Sequence, residues 1–206
     1  MVCVSDMPMI IDEELLLSSG AELVRYKVND IIFKEGDVPK YYFQIKTGTV
    51  KINNYHEDGR EIIHSIPFDG HCLVESSLFI DKDYPVNAVA MTACEIIKLD
   101  KVKFLALIGS SPDLLSKLYT YTAERMYYRH VMLNNISAPD PGTKVKRVME
   151  CLKSYNQYTS KYSYQFPFTR QQLASLTGLC VETVIRVVKK MEKEEIVRIE
   201  NGKIFY

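Results

Sequence analysis

Glu182 and Arg186 are the residues of this chain best suited to reading chemistry from another molecule. They stand four positions apart in the run Val181-Glu-Thr-Val-Ile-Arg-Val-Val-Lys-Lys, a spacing that makes them neighbours on a helix surface. A carboxylate placed there can accept from cytosine N4, and a guanidinium can grip guanine O6 and N7. The ordinary alternative is an exposed ion pair worth roughly 0.2–0.5 kcal/mol. Position favours base reading: the pair lies near the start of a second short helix, with Val181 and Thr183 beside it and Lys189 and Lys190 further along. No nucleophile–base pair, phosphate-binding glycine loop or paired-carboxylate arrangement appears in the sequence, so a binding protein is expected and not an enzyme.

Such a pair needs elements to present it. Thr169 with Gln172 three residues later is a capping-box signature that opens a helix. Leu173, Ala174 and Leu176 give that helix an apolar face, and Gly178 suits the tight turn ending it. The next helix, from about Val181, turns Val184, Val187, Val188 and Met191 inward. Two short helices joined through a glycine turn predict a helix-turn-helix whose second helix fits the major groove. Thr169 and Arg170, at its opening, join Val181, Glu182, Thr183, Arg186, Lys189 and Lys190 as candidate DNA contacts. Asn201-Gly202, between the alternating residues of Ile196 to Tyr206, predicts a two-residue hairpin, the wing of a winged helix.

Upstream, Ile136 to Gly142 holds two prolines and a glycine in seven residues, which breaks any helix and marks a domain boundary. A helix is expected from Thr143 to Lys153 on Val145, Val148, Met149 and Leu152, then a short hairpin in the Tyr-rich stretch Tyr155 to Phe168. From Leu23 to Leu99, short alternating runs are separated by turn signals such as Glu35-Gly36-Asp37 and Phe68-Asp69-Gly70. That pattern predicts an antiparallel sandwich or barrel, the jelly roll being one option. The expected class is therefore α+β: a β-barrel domain over 1–111, a long helix over 112–136 and a winged helix-turn-helix over 137–206.

Charge follows the same division. Lys+Arg and Asp+Glu both total 26 in the 206 residues, yet residues 140–206 hold 12 basic against 7 acidic while residues 1–139 hold 14 against 19. The C-terminal segment is the better match to a polyanion. No apolar run approaches the roughly 18 residues that span a bilayer. The acidic stretch from Met1 to Ser19 lacks the basic-then-apolar order of a signal peptide, so a cytoplasmic protein without a membrane partner is expected. The five cysteines (Cys3, Cys72, Cys94, Cys151, Cys180) are scattered and show no metal-site spacing. Cys180 falls at the N-terminal end of the second helix, where oxidation would oppose phosphate; a small residue tolerated at a cap is the plainer reading.

No Gly or Pro interrupts the stretch from Asp113 to Asn135, as one long helix requires. Leu114, Leu118, Tyr121, Arg125, Tyr128 and Met132 step by four and three along it, a heptad-like seam. A second seam, Tyr119, Ala123, Met126, His130 and Leu133, runs beside the first. Two apolar seams exceed what one neighbour can cover, so the first is expected to pair two copies into a homodimer.

These features together resemble the Crp–Fnr family of bacterial transcription regulators: Glu35-Gly36-Asp37, Gly48 and Gly70 in the barrel, a long helix, then Gln172-Leu-Ala-x-Leu-Thr-Gly-x-x-x-Glu-Thr-Val-x-Arg186. The likeness runs from about Leu23 to Tyr206. It implies a homodimer joined by the long helices, bound to palindromic double-stranded DNA and touching RNA polymerase, to which the turn His56 to Glu61 resembles a contact surface. It also implies that Glu182 and Arg186 read bases. Val181 stands where the cyclic-AMP-receptor branch has arginine, as in the Fnr-like branch, so half-sites nearer TTGA than TGTGA are expected.

The resemblance also locates an effector pocket, and it is degenerate. Nucleotide-binding members use a Gly-Glu turn and a later Arg-Ser or Arg-Thr to hold ribose and cyclic phosphate. Here the turn reads Val74-Glu75-Ser76 and the later pair falls at Tyr84-Pro85, followed by Val86. A buried phosphate without its arginine loses its main charge-assisted partner, and proline has no N–H to give. No cofactor and no cyclic nucleotide is expected; an unidentified small-molecule effector, or none, is. Cys3 alone does not form the N-terminal cysteine cluster of the oxygen-sensing members. His64, His71 and Glu75 resemble part of a cupin metal motif, but Leu73 interrupts it, so barrel polar residues are the better reading. His130 is read as a packed or interfacial histidine. The alternatives are a metal-dependent cupin-type enzyme with a DNA-binding tail and a constitutive DNA-binding protein whose barrel senses nothing.

Overall fold

The expected alternation becomes seven strands in the computed structural model, which describes residues 9–80, 82–155 and 158–206. They are β1 (Glu22–Tyr26), β2 (Ile31–Phe33), β3 (Tyr41–Thr47), β4 (Val50–Tyr55), β5 (Glu61–Ser65), β6 (Asn87–Ala90) and β7 (Cys94–Asp100). Two sheets result, β1-β7-β3 and β2-β6-β4-β5, with antiparallel registers such as Ile45 opposite Ile96 and Val50 opposite Ala90. Inward positions supply one core, with Phe43, Ile45, Val50, Ile52, Ala88, Ala90 and Ile96 all buried. Gly48 turns β3 into β4 at φ +109°, and a Cβ there would lie 2.6 Å from the Cys94 sulfur and 2.7 Å from the Ala93 carbonyl, so only glycine fits.

Helix α1 (Glu13–Ser18) is fastened to β3 by polar chemistry. The buried Gln44 side chain donates to the Ile11 carbonyl at 2.8 Å and accepts from the Ile11 amide at 3.2 Å, while the Tyr42 hydroxyl donates to Gln44 Oε1 at 2.6 Å. Helix α2 (Lys101–Gly109) starts from Asp100, whose carboxylate accepts from the Val102 and Lys103 amides, and places Phe104 in a 4.3 Å stack on Tyr42.

Helix α3 runs from Pro112 to Ile136. Its two seams differ in how far the protomer covers them. Leu118 and Tyr121 are 3% and 5% exposed, and Leu114, Arg125, Tyr128 and Met132 are half-buried. The first seam is therefore partly covered within the protomer, most fully at Leu118 and Tyr121. Tyr119, Ala123, Met126, His130 and Leu133 are all exposed, so the second seam is the one left open. Heptad spacing marks which residues share a face; what covers that face depends on tertiary packing.

Helix α4 spans Pro141–Tyr155, starting two residues before the expected Thr143. Pro141 takes the first helical position, where its missing N–H costs nothing, and Asp140 accepts from the Thr143 amide at 2.9 Å. Then follow β8 (Gln165–Phe166), α5 (Arg170–Thr177), α6 (Val181–Lys193), β9 (Arg198–Glu200) and β10 (Lys203–Phe205). The hairpin expected over Tyr155 to Phe168 is not its own sheet among the described residues: β8 pairs with β10 in a three-stranded sheet β8-β10-β9. Asn156 and Gln157 lie outside the described residues, as does Cys3. The chain forms two compact units, one ending at Asn54 and resuming over His64–Met126, the other comprising Tyr55–Ile63 and Tyr127–Tyr206 beyond its first residues. The division falls inside α3, upstream of the Pro-rich break.

Candidate nucleic-acid interface

The second unit builds its surface from the capped start of α5. The Thr169 hydroxyl accepts from the Gln172 amide at 3.1 Å, and the Gln172 side chain accepts from the Thr169 amide at 2.9 Å. Both bonds of the capping box are made, so two of the helix's orphan amides are satisfied locally. Leu173, Ala174 and Leu176 are buried, and the buried Thr177 hydroxyl is satisfied by the Leu173 carbonyl at 2.7 Å. Gly178 closes the helix in the left-handed region at φ +66°.

Helix α6 then begins at Val181 with Cys180 as its exposed cap residue. Val184, Val188 and Met191 are buried and hold it to the unit, while Val187 is half-buried. Glu182, Arg186, Lys189 and Lys190 are exposed on the other side; Val181 and Thr183 are half-buried between the faces. The competing arrangement, an ion pair between Glu182 and Arg186, does not form among the described residues. Arg186 instead donates to the Thr183 hydroxyl at 3.4 Å, a long contact that leaves its guanidinium available. Lys190 lies 3.7 Å from the Glu194 carboxylate, an exposed pair that holds it weakly.

The wing forms as the Asn-Gly turn requires. Asn201 and Gly202 have φ of +49° and +76°, both positive as a type I′ turn demands, and Glu200 pairs with Lys203 across it. Arg170, expected only as a DNA contact, donates from its guanidinium to the Gly202 carbonyl and so ties the start of α5 to the wing tip. Arg198 lies over the Tyr162 ring at 5.2 Å and 3.0 Å from Glu200. The sequence gives no signal for Arg170's second partner, because thirty-two residues separate the two groups.

The positions expected to line the effector pocket lie in the first unit. Val74 keeps the left-handed backbone of a glycine turn, at φ +49° and ψ +37°, although it is β-branched. Glu75, 3% exposed, faces inward and is fully partnered: Arg125 Nη1 donates to Oε2 at 2.9 Å and the Thr122 hydroxyl to Oε1 at 2.9 Å. Arg125 also donates to the Cys72 carbonyl at 3.2 Å. Ser76 is exposed. Tyr84 is buried, its ring stacked on Phe33 at 3.9 Å and its hydroxyl donating to the Tyr41 carbonyl at 3.3 Å; burial pushes that hydroxyl's pKa up. Pro85 faces outward, with its carbonyl accepting from Asn54, and Val86 packs against the core. An aromatic side chain thus fills the position where the nucleotide-binding pattern has a basic one. The Glu75–Arg125–Thr122 cluster has one trace in the sequence, a lone arginine inside an otherwise apolar seam.

His64 Nε2 lies 2.6 Å from the Asn54 amide oxygen. His71 is buried, and its Nδ1 accepts from the Phe68 amide at 3.2 Å, so Nε2 carries the proton. Burial and the nearby Arg125 cation lower its pKa to about 3, which keeps the ring neutral.

Comparison with known proteins follows the same division. A cyclic nucleotide-binding domain model matches residues 23–111, and a Crp-like helix-turn-helix domain model matches residues 146–205. The chain is 25% identical over 181 residues to the cAMP-activated global transcriptional regulator CRP of Salmonella typhimurium, covering 87% of this chain and 86% of that one. It is 27% identical over 173 residues to the cyclic AMP receptor protein of Thermus thermophilus, covering 84% and 78%. Among solved structures, the fold is that of the c-di-GMP-responsive global regulator CLP of Xanthomonas campestris, at TM-score 0.79 and 22% identity over 93% of this chain and 96% of that one. A CooA variant from Carboxydothermus hydrogenoformans has the same fold at TM-score 0.79 and 13% identity, over 98% and 93%. No helix among the described residues is long and apolar enough to cross a membrane.

Proposed function

Since this chain belongs to the Crp–Fnr family of DNA-binding transcription regulators, we propose that it works as a homodimer placing one α6 in each half of a two-fold symmetric DNA site. The observation that carries this reading is the exposure of Glu182 and Arg186 together on a helix whose opposite face, Val184, Val188 and Met191, is locked into the unit. The basic excess of residues 140–206 supports it, since phosphate neutralisation supplies the sequence-independent part of such binding. Arg170 holds the wing as well as lying beside the first capped helix, while Thr169, Lys189 and Lys190 are candidate phosphate contacts.

Glu182 and Arg186 are the base readers, with Val181 and Thr183 flanking them. A valine offers a guanine no donor, so the contact an arginine would make there is lost, at about 1–3 kcal/mol of discrimination. Half-sites nearer TTGA than TGTGA follow. Selection from random double-stranded DNA tests both parts: enrichment of TGTGA half-sites overturns the assignment of Val181. An Arg186→Ala variant that keeps full preference at every position overturns the assignment of Arg186.

The copies pair through the outward seam of α3, Tyr119, Ala123, Met126, His130 and Leu133, and the DNA-bound dimer meets RNA polymerase. Cyclic AMP and cyclic GMP are not its effectors. Tyr84 occupies the core where a phosphate would need a cation, and Arg125 is already engaged by Glu75. Titration calorimetry with either nucleotide is expected to give no binding heat; micromolar binding overturns this part of the reading.

A further inference from the structure

The turn joining β4 to β5 lies in the same compact unit as α5 and α6, and together they line a cavity of about 200 Å³. Ile62, Ala174, Leu179 and Val181 give it apolar walls. Its polar groups are mostly donors that lack an acceptor. Ser175 lines the cavity and is 3% exposed, yet its hydroxyl has no partner among the described residues. Thr177, buried on the same helix, gives its hydroxyl to the Leu173 carbonyl at 2.7 Å, so the helix backbone does satisfy a neighbouring group of this kind. An unpaired buried hydroxyl is costly, and a cavity beside it is where a partner would sit. Cys180 caps α6 without a side-chain hydrogen bond, so the amides of Val181 and Glu182 open that helix with no acceptor among the described residues. Arg60 reaches the lining from the turn; Asp58 holds its Nε at 2.6 Å, and neither terminal nitrogen has a partner among the described residues. Glu61 is the one carboxylate of the lining and has a partner of its own.

We propose that this cavity binds a small carboxylate with a short hydrocarbon tail, and that the bound anion opposes DNA at the start of α6. The carboxylate accepts from the Ser175 hydroxyl, the first α6 amides and Arg60, while the tail covers Ile62, Ala174 and Leu179. Volume sets the size of the tail. An apolar cavity of about 150 Å³ takes benzene, so about 200 Å³ takes a molecule of roughly eight heavy atoms, the size of hexanoate. Inorganic phosphate would leave the apolar walls bare, and a duplex is far too wide for a space of this volume. The effect on DNA rests on the base-reading role given to α6 above. Cys180 and Val181 line the cavity and stand immediately before Glu182, so a negative charge held there meets the phosphates that α6 must approach.

The test is a titration of the full chain with sodium hexanoate, followed through its backbone amide resonances. Shifts are expected at Ser175, Gly178 and Val181, with a dissociation constant below about 1 mM. Ser175→Ala and Arg60→Gln should each weaken binding by about tenfold. Arg60 is exposed, so its variant keeps the test open if the change at the buried serine disturbs folding. The absence of shifts at about 10 mM hexanoate overturns the site. Hexanol binding as tightly overturns the role of the carboxylate, and inorganic phosphate binding as tightly overturns the role of the tail. The second measurement is fluorescence anisotropy with the duplex enriched by the selection described above, at constant sodium because such binding depends on salt. Saturating hexanoate is expected to weaken DNA binding by at least about tenfold in wild type and much less in either variant. Unchanged DNA affinity with the cavity occupied overturns the opposition to DNA. A chain that prefers no DNA sequence even without hexanoate overturns the base-reading role instead, and the amide shifts still decide the site.

Discussion

Replacing Arg125 with methionine removes a guanidinium that holds a nearly fully buried carboxylate. Glu75 is 3% exposed, and Arg125 donates to it at 2.9 Å and to the Cys72 carbonyl at 3.2 Å. In Arg125→Met the Thr122 hydroxyl remains on Oε1, while Oε2 and the Cys72 carbonyl lose their charged donor. Stranding one member of a buried ion pair costs about 3–5 kcal/mol. The surviving Thr122 bond puts the expectation at the lower end, about 3 kcal/mol. With a urea m value of about 2–3 kcal/mol per molar, the midpoint of the β-domain transition falls by roughly 1–1.5 M. Glu75→Gln alone strands the cation and is expected to cost about as much. The double variant strands neither charge, so its loss should be smaller than the sum of the singles by at least about 2 kcal/mol. Urea unfolding of the four proteins, followed through the tyrosines of this unit, completes the cycle. Additive losses, or a single loss under about 1 kcal/mol, would refute the view that Glu75 and Arg125 form one buried unit.

Three further outcomes are expected. Gln44→Leu removes the clamp on Ile11 and leaves that residue's amide and carbonyl unpaired; a loss of about 2 kcal/mol and faster proteolysis ahead of α1 should follow, read by denaturation and mass-mapped digestion. Gly178→Ala forces a Cβ into the left-handed region at φ +66° with nothing nearby to clash, so the cost is backbone strain alone, about 1 kcal/mol, and Gly178→Asn should cost less in the same thermal melts. His71 has a folded pKa of about 3 against an ordinary value near 6.5, so the unfolded chain binds the extra proton in acid. Its contribution to stability is complete above about pH 6.5 and declines as pH falls toward 3, amounting to about 2 kcal/mol lost at pH 5. His71→Phe should lack that part of the slope between pH 8 and 5, and an unchanged slope would show that His71 is not its source.

The C-terminal unit is legible in the sequence because its determinants are local. Thr169 and Gln172 lie within one helical turn of each other, Gly178 supplies its own left-handed backbone, and Asn201-Gly202 defines a turn of two residues. Each signal acts over fewer than five residues, so a linear pattern carries it whole. The strands of the first unit are legible as alternation, while their pairing is not: β1 lies against β7, and registers such as Glu22 opposite Lys98 join distant segments. The same limit explains the α3 seams. Both repeat every three and four residues, and only Glu75, Cys72 and the core around them decide that the seam holding Leu118, Tyr121 and Arg125 faces its own protomer.

Position 74 separates two things that the motif comparison treats as one. The glycine of the nucleotide-binding pattern has been replaced by valine, which argues that the turn itself is gone. Yet Val74 sits at φ +49°, a conformation that costs a β-branched residue energy, so the turn persists. What it still accomplishes is to direct Glu75 inward, onto Arg125 and Thr122. In this chain the backbone path positions one end of a buried ion pair. Relaxing that backbone should therefore disturb the pair before it affects any small molecule. Val74→Gly is expected to stabilise the β-domain by relieving strain while leaving nucleotide binding absent. A variant that gained cyclic AMP binding would show that the glycine, and not the missing cation near Tyr84, is what this pocket lacks.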